Sequence, residues 1–180
     1  MRIYIPSGEI GLRRPGWLLA DNCSDKALAL KPDIVCDMRD LPFKKNELEE
    51  IYCCHGIEHL LKKEVLPCLK QFREKLRPGG RLRLAVPDFE RIVQFWNESR
   101  AEEAVMFHLF GRQENEGQIH FMCYTSAGLS TLMRKTGFKR VGRWEPLKES
   151  FQPRDNALHW VPSRNGSGKI FTSLNIEGWK

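Results

Sequence analysis

What this sequence of 180 residues lacks narrows the field first. Its six cysteines, at positions 23, 36, 53, 54, 68 and 123, contain no C-x-x-C pair, so reduced and mostly buried thiols are expected. No apolar run reaches bilayer-spanning length, so no membrane span is expected. Met1-Arg2-Ile3-Tyr4-Ile5 reads as a strand and not as a secretory leader, which makes a cytoplasmic protein the expectation. There is also no basic block. The net charge of +6 is dispersed over short pairs such as Arg13-Arg14, Lys44-Lys45, Lys62-Lys63, Arg134-Lys135 and Lys139-Arg140. Such pairs read as solvated faces, so nucleic acid is not an expected partner, although an anionic ligand suits the charge. Internal repeats and low-complexity tracts are absent. With 41% hydrophobic residues, the chain can bury one real core as a single domain over residues 1–180.

What is present is organised around residues 51–90. Ile51-Tyr52-Cys53-Cys54 is a short apolar run of strand type. After a turn containing Gly56, the apolar residues Val65, Leu69, Phe72 and Leu76 recur at helical spacing, with Lys70, Arg73, Glu74 and Lys75 mostly off that face. Arg77-Pro78-Gly79-Gly80 stops the helix, because proline cannot continue it and glycine supplies positive φ. A second strand, Leu82 to Val86, ends at Pro87, and Asp88 is placed to cap the next helix. Strand, helix, strand with a long crossover means two parallel strands. Ligands bind beyond the carboxyl ends of such strands, here Cys54-His55-Gly56 and Pro87-Asp88.

The flanks extend the pattern. Arg2 to Pro6, Trp17 to Ala20 and Ile34 to Cys36 read as strands. Only residues 7–15 separate the first two, fewer than the dozen or so that a parallel crossover usually takes, so the first helix is a stub or absent. Downstream, a helix over Asp88 to Asn97 carries Phe89, Ile92, Val93 and Trp96 on one face. Another over Arg100 to Phe110 carries Ala104, Phe107 and Phe110. A polar loop over 111–124 leads to His120 and Tyr124, where it could meet a substrate. A helix from Ser126 to Lys135 buries Leu129, Leu132 and Met133. Phe138 to Trp144 and Lys169 to Ile176 read as the final strands. The connection between them, 145–168, holds Phe151, His159 and Trp160 and reads as a lid.

The string His55-Gly56-Ile57-Glu58-His59 is also H-x-x-E-H, the signature of some zinc peptidases. That chemistry needs both histidines on one helical face and a third ligand, for which Glu98, Glu102 and Glu103 are the candidates. Gly56 follows the strand directly and puts His55 outside the helix, so no stoichiometric zinc is expected.

Taken in order, Asp37-Met38-Arg39-Asp40-Leu41-Pro42-Phe43, His55-Gly56-Ile57-Glu58-His59-Leu60, Leu76-Arg77-Pro78-Gly79-Gly80 and Val86-Pro87-Asp88 resemble class I S-adenosylmethionine-dependent methyltransferases. His120-Phe121-Met122-Cys123-Tyr124 and Thr136-Gly137-Phe138 match the closing motifs of that family, so the resemblance covers residues 1–144. It implies an α/β, Rossmann-like fold whose seven-stranded sheet is mostly parallel with one antiparallel C-terminal strand. It implies S-adenosylmethionine as cofactor and a small-molecule or glycan acceptor, such as a sugar or nucleotide-sugar hydroxyl. Pro6, Ser7 and Gly8 then stand where the family has its glycine-rich cofactor loop. Asp21 would hold the ribose hydroxyls. Asp37 or its backbone would meet the adenine edge, Met38 would pack on the ring, and Cys54 and His55 would wall the pocket. His55 is the implied base, with His120 as its alternate; Asp88 is a helix cap. Pro6-Ser7 replace residues that the family prefers as glycine, so weak cofactor binding is expected, and a non-catalytic binding or scaffold protein on the same fold is the alternative.

Overall fold

A computed structural model describes residues 1–6, 15–22, 31–146, 160–162 and 169–180. In chain order the elements are β1 (Arg2–Ile5), β2 (Leu18–Asp21), β3 (Ile34–Val35), β4 (Leu48–Cys54), a 3-10 turn (Ile57–His59) and α1 (Lys62–Lys75). They continue with β5 (Leu76–Pro87), α2 (Phe89–Ser99), α3 (Glu102–Phe110), α4 (Ser126–Lys135) and β6 (Lys139–Arg143). The chain closes with β7 (Trp160–Pro162), β8 (Lys169–Phe171) and β9 (Ser173–Trp179).

Seven strands form one sheet in the order β3-β2-β1-β4-β5-β9-β6. The first five run parallel, while β9 is antiparallel to both of its neighbours. This is the expected seven-stranded, mostly parallel α/β sheet. Strands buried on both faces favour apolar residues at successive positions, which is why Ile51-Tyr52-Cys53-Cys54 of β4 reads as an unbroken run. Ile51 and Cys53 join the larger core, with Phe72 of α1 and Met133 of α4. Tyr52 and Cys54, pointing the other way, pack with Tyr4, Ala85 and Trp144. Tyr4 stacks on Tyr52 at 5.2 Å, and Trp144 meets Tyr52 edge-on at 5.5 Å.

Helix α1 forms because Val65, Cys68, Leu69 and Phe72 make one buried stripe, each side chain contributing about 1.5–3 kcal/mol. It passes straight into β5 at Leu76, and the expected stop at Arg77-Pro78-Gly79-Gly80 is a bulge inside that strand, with Gly79 at φ 73°. Asp88 caps α2 as expected, accepting from the backbone N–H groups of Glu90 and Arg91 at 3.1 and 3.3 Å.

The faces of α2 and α3 differ from those the spacing implies. Ile92 and Phe95 are the buried residues of α2, and Val105 and His108 those of α3; Phe89, Val93, Phe107 and Phe110 are exposed. The reason lies in the long connection, part of which is not a lid. The β7–β8 hairpin lays Val161 and Ile170 against Ile92, Phe95 and Val105 and so chooses the buried face. The last strand likewise divides: Phe171 belongs to the hairpin, Ser173 to the main sheet, and Thr172 between them is buried. The segment 7–14, where the first helix was expected to be a stub or absent, and the rest of the connection expected to be a lid, 147–159 and 163–168, lie outside the described residues.

Candidate functional site

The carboxyl ends of β1, β2, β3, β4 and β5 open into one cleft of about 780 Å³. Pro6, Asp21, Asp37, Met38, His55 and His120 all line it. Six residues from five separate stretches of sequence thus meet. Ser7 and Gly8 lie outside the described residues. Cys54 does not belong to the cleft: strand alternation turns its side chain to the opposite face of the sheet, among Tyr4, Tyr52 and Trp144. Tyr124 is likewise structural, buried with its hydroxyl donating to the Ile57 carbonyl at 3.3 Å.

At the β2–β3 side the wall is acidic. Asp21 ends β2 almost fully buried, and its carbonyl accepts from the Cys36 N–H at 2.9 Å. Burial, then the charges of Asp37, Asp21 and Asp40, push the Cys36 thiol up to about 11, so this cysteine stays protonated. Asp37 is clamped. Arg39 donates to its two oxygens from the guanidinium and from the backbone N–H, then reaches Glu64 at 2.8 Å. The Arg39 hydrogen bonds hold the Asp37 carboxyl below the usual range. With the carboxylate so engaged, Met38 and the backbone are the parts of this turn left to face a ligand ring.

At the β4 end the chain makes a tight turn. His55 has φ 51°, a left-handed conformation that is uncommon without glycine and concentrated at functional sites. Its N–H donates to the Ala85 carbonyl at 2.7 Å. Its ring lies between two partners, with Nε2 2.6 Å from the Ser173 hydroxyl and Nδ1 3.1 Å from Glu58 Oε1. Ser173 is buried and does not line the cleft, so serine, histidine and glutamate form a support for the ring here and not a nucleophile's triad. Gly56 is required by packing: a Cβ there would lie 2.7 Å from Cys53 Sγ and 3.2 Å from Met38 Cε.

Glu58 is the hub of the site. Its side chain is fully buried, which by itself raises a carboxyl pKa; the His55 contact and the nearby rings of His59 and His120 outweigh this and hold it low. Two N–H groups, those of Phe121 and Met122, donate to the Glu58 carbonyl at 2.8 and 3.1 Å. The 111–124 loop is thereby tied to the turn after β4, and His120 comes to rest beside His59 with ring centroids 4.9 Å apart. Burial lowers the His120 pKa, with Glu58 pulling the other way. Glu98, Glu102 and Glu103 take no part; among the described residues the third member of the group is His120. The signal for this hub was the H-x-x-E-H string itself, but its partner could not be named before the loop was folded back.

A separate, apolar groove of about 330 Å³ runs between α2 and α3, lined by Phe89, Val93, Trp96 and Met106 among others.

Comparison with known proteins agrees with this architecture. Residues 19–84 match the family model described as a methyltransferase domain. A S-adenosylmethionine-dependent methyltransferase from Thermotoga maritima superposes with a TM-score of 0.56 at 17% identity, over 99% of this chain and 81% of that one. Another from Archaeoglobus fulgidus gives 0.58 at 13% identity, over 99% and 86%. The Burkholderia thailandensis 1,6-didemethyltoxoflavin-N1-methyltransferase, solved with 1,6-didemethyltoxoflavin and S-adenosylhomocysteine, gives 0.57 at 13%, over 99% and 70%. No curated protein matches the sequence significantly.

Proposed function

We propose that this chain, which carries a methyltransferase domain on the class I, S-adenosylmethionine-dependent fold, methylates a hydroxyl of a small sugar or nucleotide-sugar acceptor. The observation that carries the reading is the single cleft at the carboxyl ends of five strands, with Asp21 and His55 on its wall. S-adenosylmethionine, when bound, supplies an electrophilic methyl group on a sulfonium. The residues present fit that group. Asp21 offers a carboxylate suited to paired ribose hydroxyls and Met38 an apolar surface for a ring, and Pro6 lines the same cleft.

The rest of the chain's work is positioning and proton handling. His55 is the base. Its imidazole takes the acceptor proton at Nε2 after the ring turns toward the cleft from the buried Ser173 hydroxyl that Nε2 now contacts, with Glu58 beside Nδ1 in the resting arrangement. The polar wall around Arg39, Glu64, Arg112 and Gln118 supports a hydroxyl-rich acceptor. A binding or scaffold role on the same fold is favoured by one observation, the capture of the Asp37 carboxylate by Arg39.

Calorimetric titration with S-adenosylhomocysteine tests the reading. Binding weaker than about 10 μM is expected, and Asp21→Ala should weaken it by a further ~1–3 kcal/mol. An affinity unchanged by Asp21→Ala would move the ribose contact elsewhere, and absence of binding would leave the scaffold reading.

A further inference from the structure

We propose that Glu58, His59 and His120 form a binding site for one first-row divalent transition-metal ion in the wall of the cleft. One carboxylate oxygen and two imidazole nitrogens, one from each residue, lie within 4.8 Å of one another. That is close enough for a single ion to take all three after small rotations of the side chains.

Three further observations make this a built site and not a chance meeting of polar groups. First, both rings are already set in the tautomer that a metal needs. His59 Nδ1 is 3.0 Å from the Ile119 carbonyl and His120 Nδ1 is 3.1 Å from the His108 carbonyl. A carbonyl can only accept, so each Nδ1 carries the proton and each Nε2 keeps its lone pair. A ligating histidine is usually held in this way, by donating its other ring N–H to a carbonyl or carboxylate. Second, the Glu58 side chain is completely shielded from solvent, yet neither oxygen has a well-aligned hydrogen-bond donor. The close contact is His55 Nδ1 at 3.1 Å from Oε1, which leaves Oε2 for another cation. A buried carboxylate without such compensation is costly. Third, the loop that carries His120 is tied down on both sides of it. The His120 N–H donates to Phe110 at 3.0 Å, and the next two N–H groups go to the Glu58 carbonyl. Gly111 permits this return, since a Cβ there would lie 1.9 Å from the Gln118 carbonyl oxygen.

The donor set selects the ion. Two imidazoles with one carboxylate suit zinc, iron, cobalt or manganese, whereas magnesium and calcium prefer oxygen alone. Three protein ligands leave coordination positions open, and His59 and His120 line the cleft, so those positions face the space where an acceptor would lie. An ion there would hold and polarise an acceptor hydroxyl beside His55. That role rests on the methyltransferase reading; binding of the ion does not.

The test uses tag-free, chelator-treated full-length protein titrated with Co²⁺, Zn²⁺ and Mg²⁺ separately. One Co²⁺ or Zn²⁺ per chain is expected, with Mg²⁺ at least about 100-fold weaker. Loss of a second-shell partner alone costs about 10–100-fold, so His59→Ala and His120→Ala should each weaken Co²⁺ binding by more than ~100-fold. Glu58→Gln keeps the shape of the buried side chain and should also lose the ion. S-adenosylhomocysteine affinity, measured on the same variants, separates a failed site from a misfolded cleft or a failed methyltransferase reading. Thiolate-to-cobalt charge transfer in the absorption spectrum would place the ion on cysteine and overturn the proposal. So would the absence of saturable binding, or Co²⁺ affinity that survives both histidine substitutions.

Discussion

At the scale of single residues, the site depends on keeping three imidazoles in distinct roles around one buried carboxylate. His55 contacts Glu58 through Nδ1, lines the cleft and is the proposed base. With an acceptor in hand, His55→Ala should lower turnover by about 10²–10⁴-fold while leaving S-adenosylhomocysteine affinity nearly unchanged. Full turnover in that variant would rule His55 out as base, and lost cofactor affinity would make it part of the cofactor wall. His120 differs because burial lowers its pKa, with Glu58 pulling the other way and the charges of His59 and His55 reinforcing the fall. A base whose pKa is lowered by folding binds its proton less readily in the native state. Its effect therefore appears as stability lost when the pH falls through the unfolded value, near 6.5, toward the lower native one. In metal-free protein the urea midpoint should fall from about pH 7.5 to 5.5, and His120→Ala should flatten that slope. Parallel slopes in the two proteins would show that His120 does not carry it.

At the scale of elements, the N-terminus of α2 offers a clean separation of cap from charge. Asp88 is buried; burial raises its pKa, which marks the ionised form as strained, while its Oδ1 still accepts two backbone N–H groups. Asp88→Ala should cost about 0.5–2 kcal/mol by removing the cap, whereas Asp88→Asn, which keeps an acceptor, should cost much less. Equal losses in thermal or urea unfolding would show that the Arg143 side chain, 3.7 Å from Oδ2, matters more than the cap. This cap was legible because it depends on neighbours in sequence, as did the apolar stripes of α1 and α4 and the apolar 51–54 run of β4. The faces of α2 and α3 were not legible. Phe89, Val93, Phe107 and Phe110 satisfy helical spacing, yet a hairpin some sixty residues downstream decides what is buried. Cys54 was misplaced for a simpler reason: on a strand buried on both faces, hydrophobicity cannot say which face a residue takes. Among the cleft-lining residues, Asp21, Asp37 and His55 stood out in the sequence because each lies at or just past the end of a strand. The pairing of His59 with His120 needed a loop folded back so that Ile119, 60 positions on, meets His59.

At the scale of the whole molecule, a ligand seated across the ends of β1, β2, β3 and β4 touches the strands on which the core is assembled. Binding to the native state alone stabilises it by RT ln(1 + [L]/Kd). With a Kd of about 10 μM and ~1 mM S-adenosylhomocysteine, that is about 2.7 kcal/mol. For a chain of 180 residues each kcal/mol moves Tm by roughly 2–4 °C, so the shift should not exceed about 10 °C. The expected result is therefore a positive shift below that ceiling, rising with the logarithm of ligand concentration. Asp21→Ala should reduce the shift at every concentration, since it removes affinity and not the core. The ceiling follows from the proposed weak affinity, itself expected because residues 7–15 are few in sequence to supply backbone donors to the amino-acid end of the ligand. A much larger shift would mean that another segment supplies those donors. No shift at millimolar ligand would take the cofactor out of the cleft and leave a fold that binds something else.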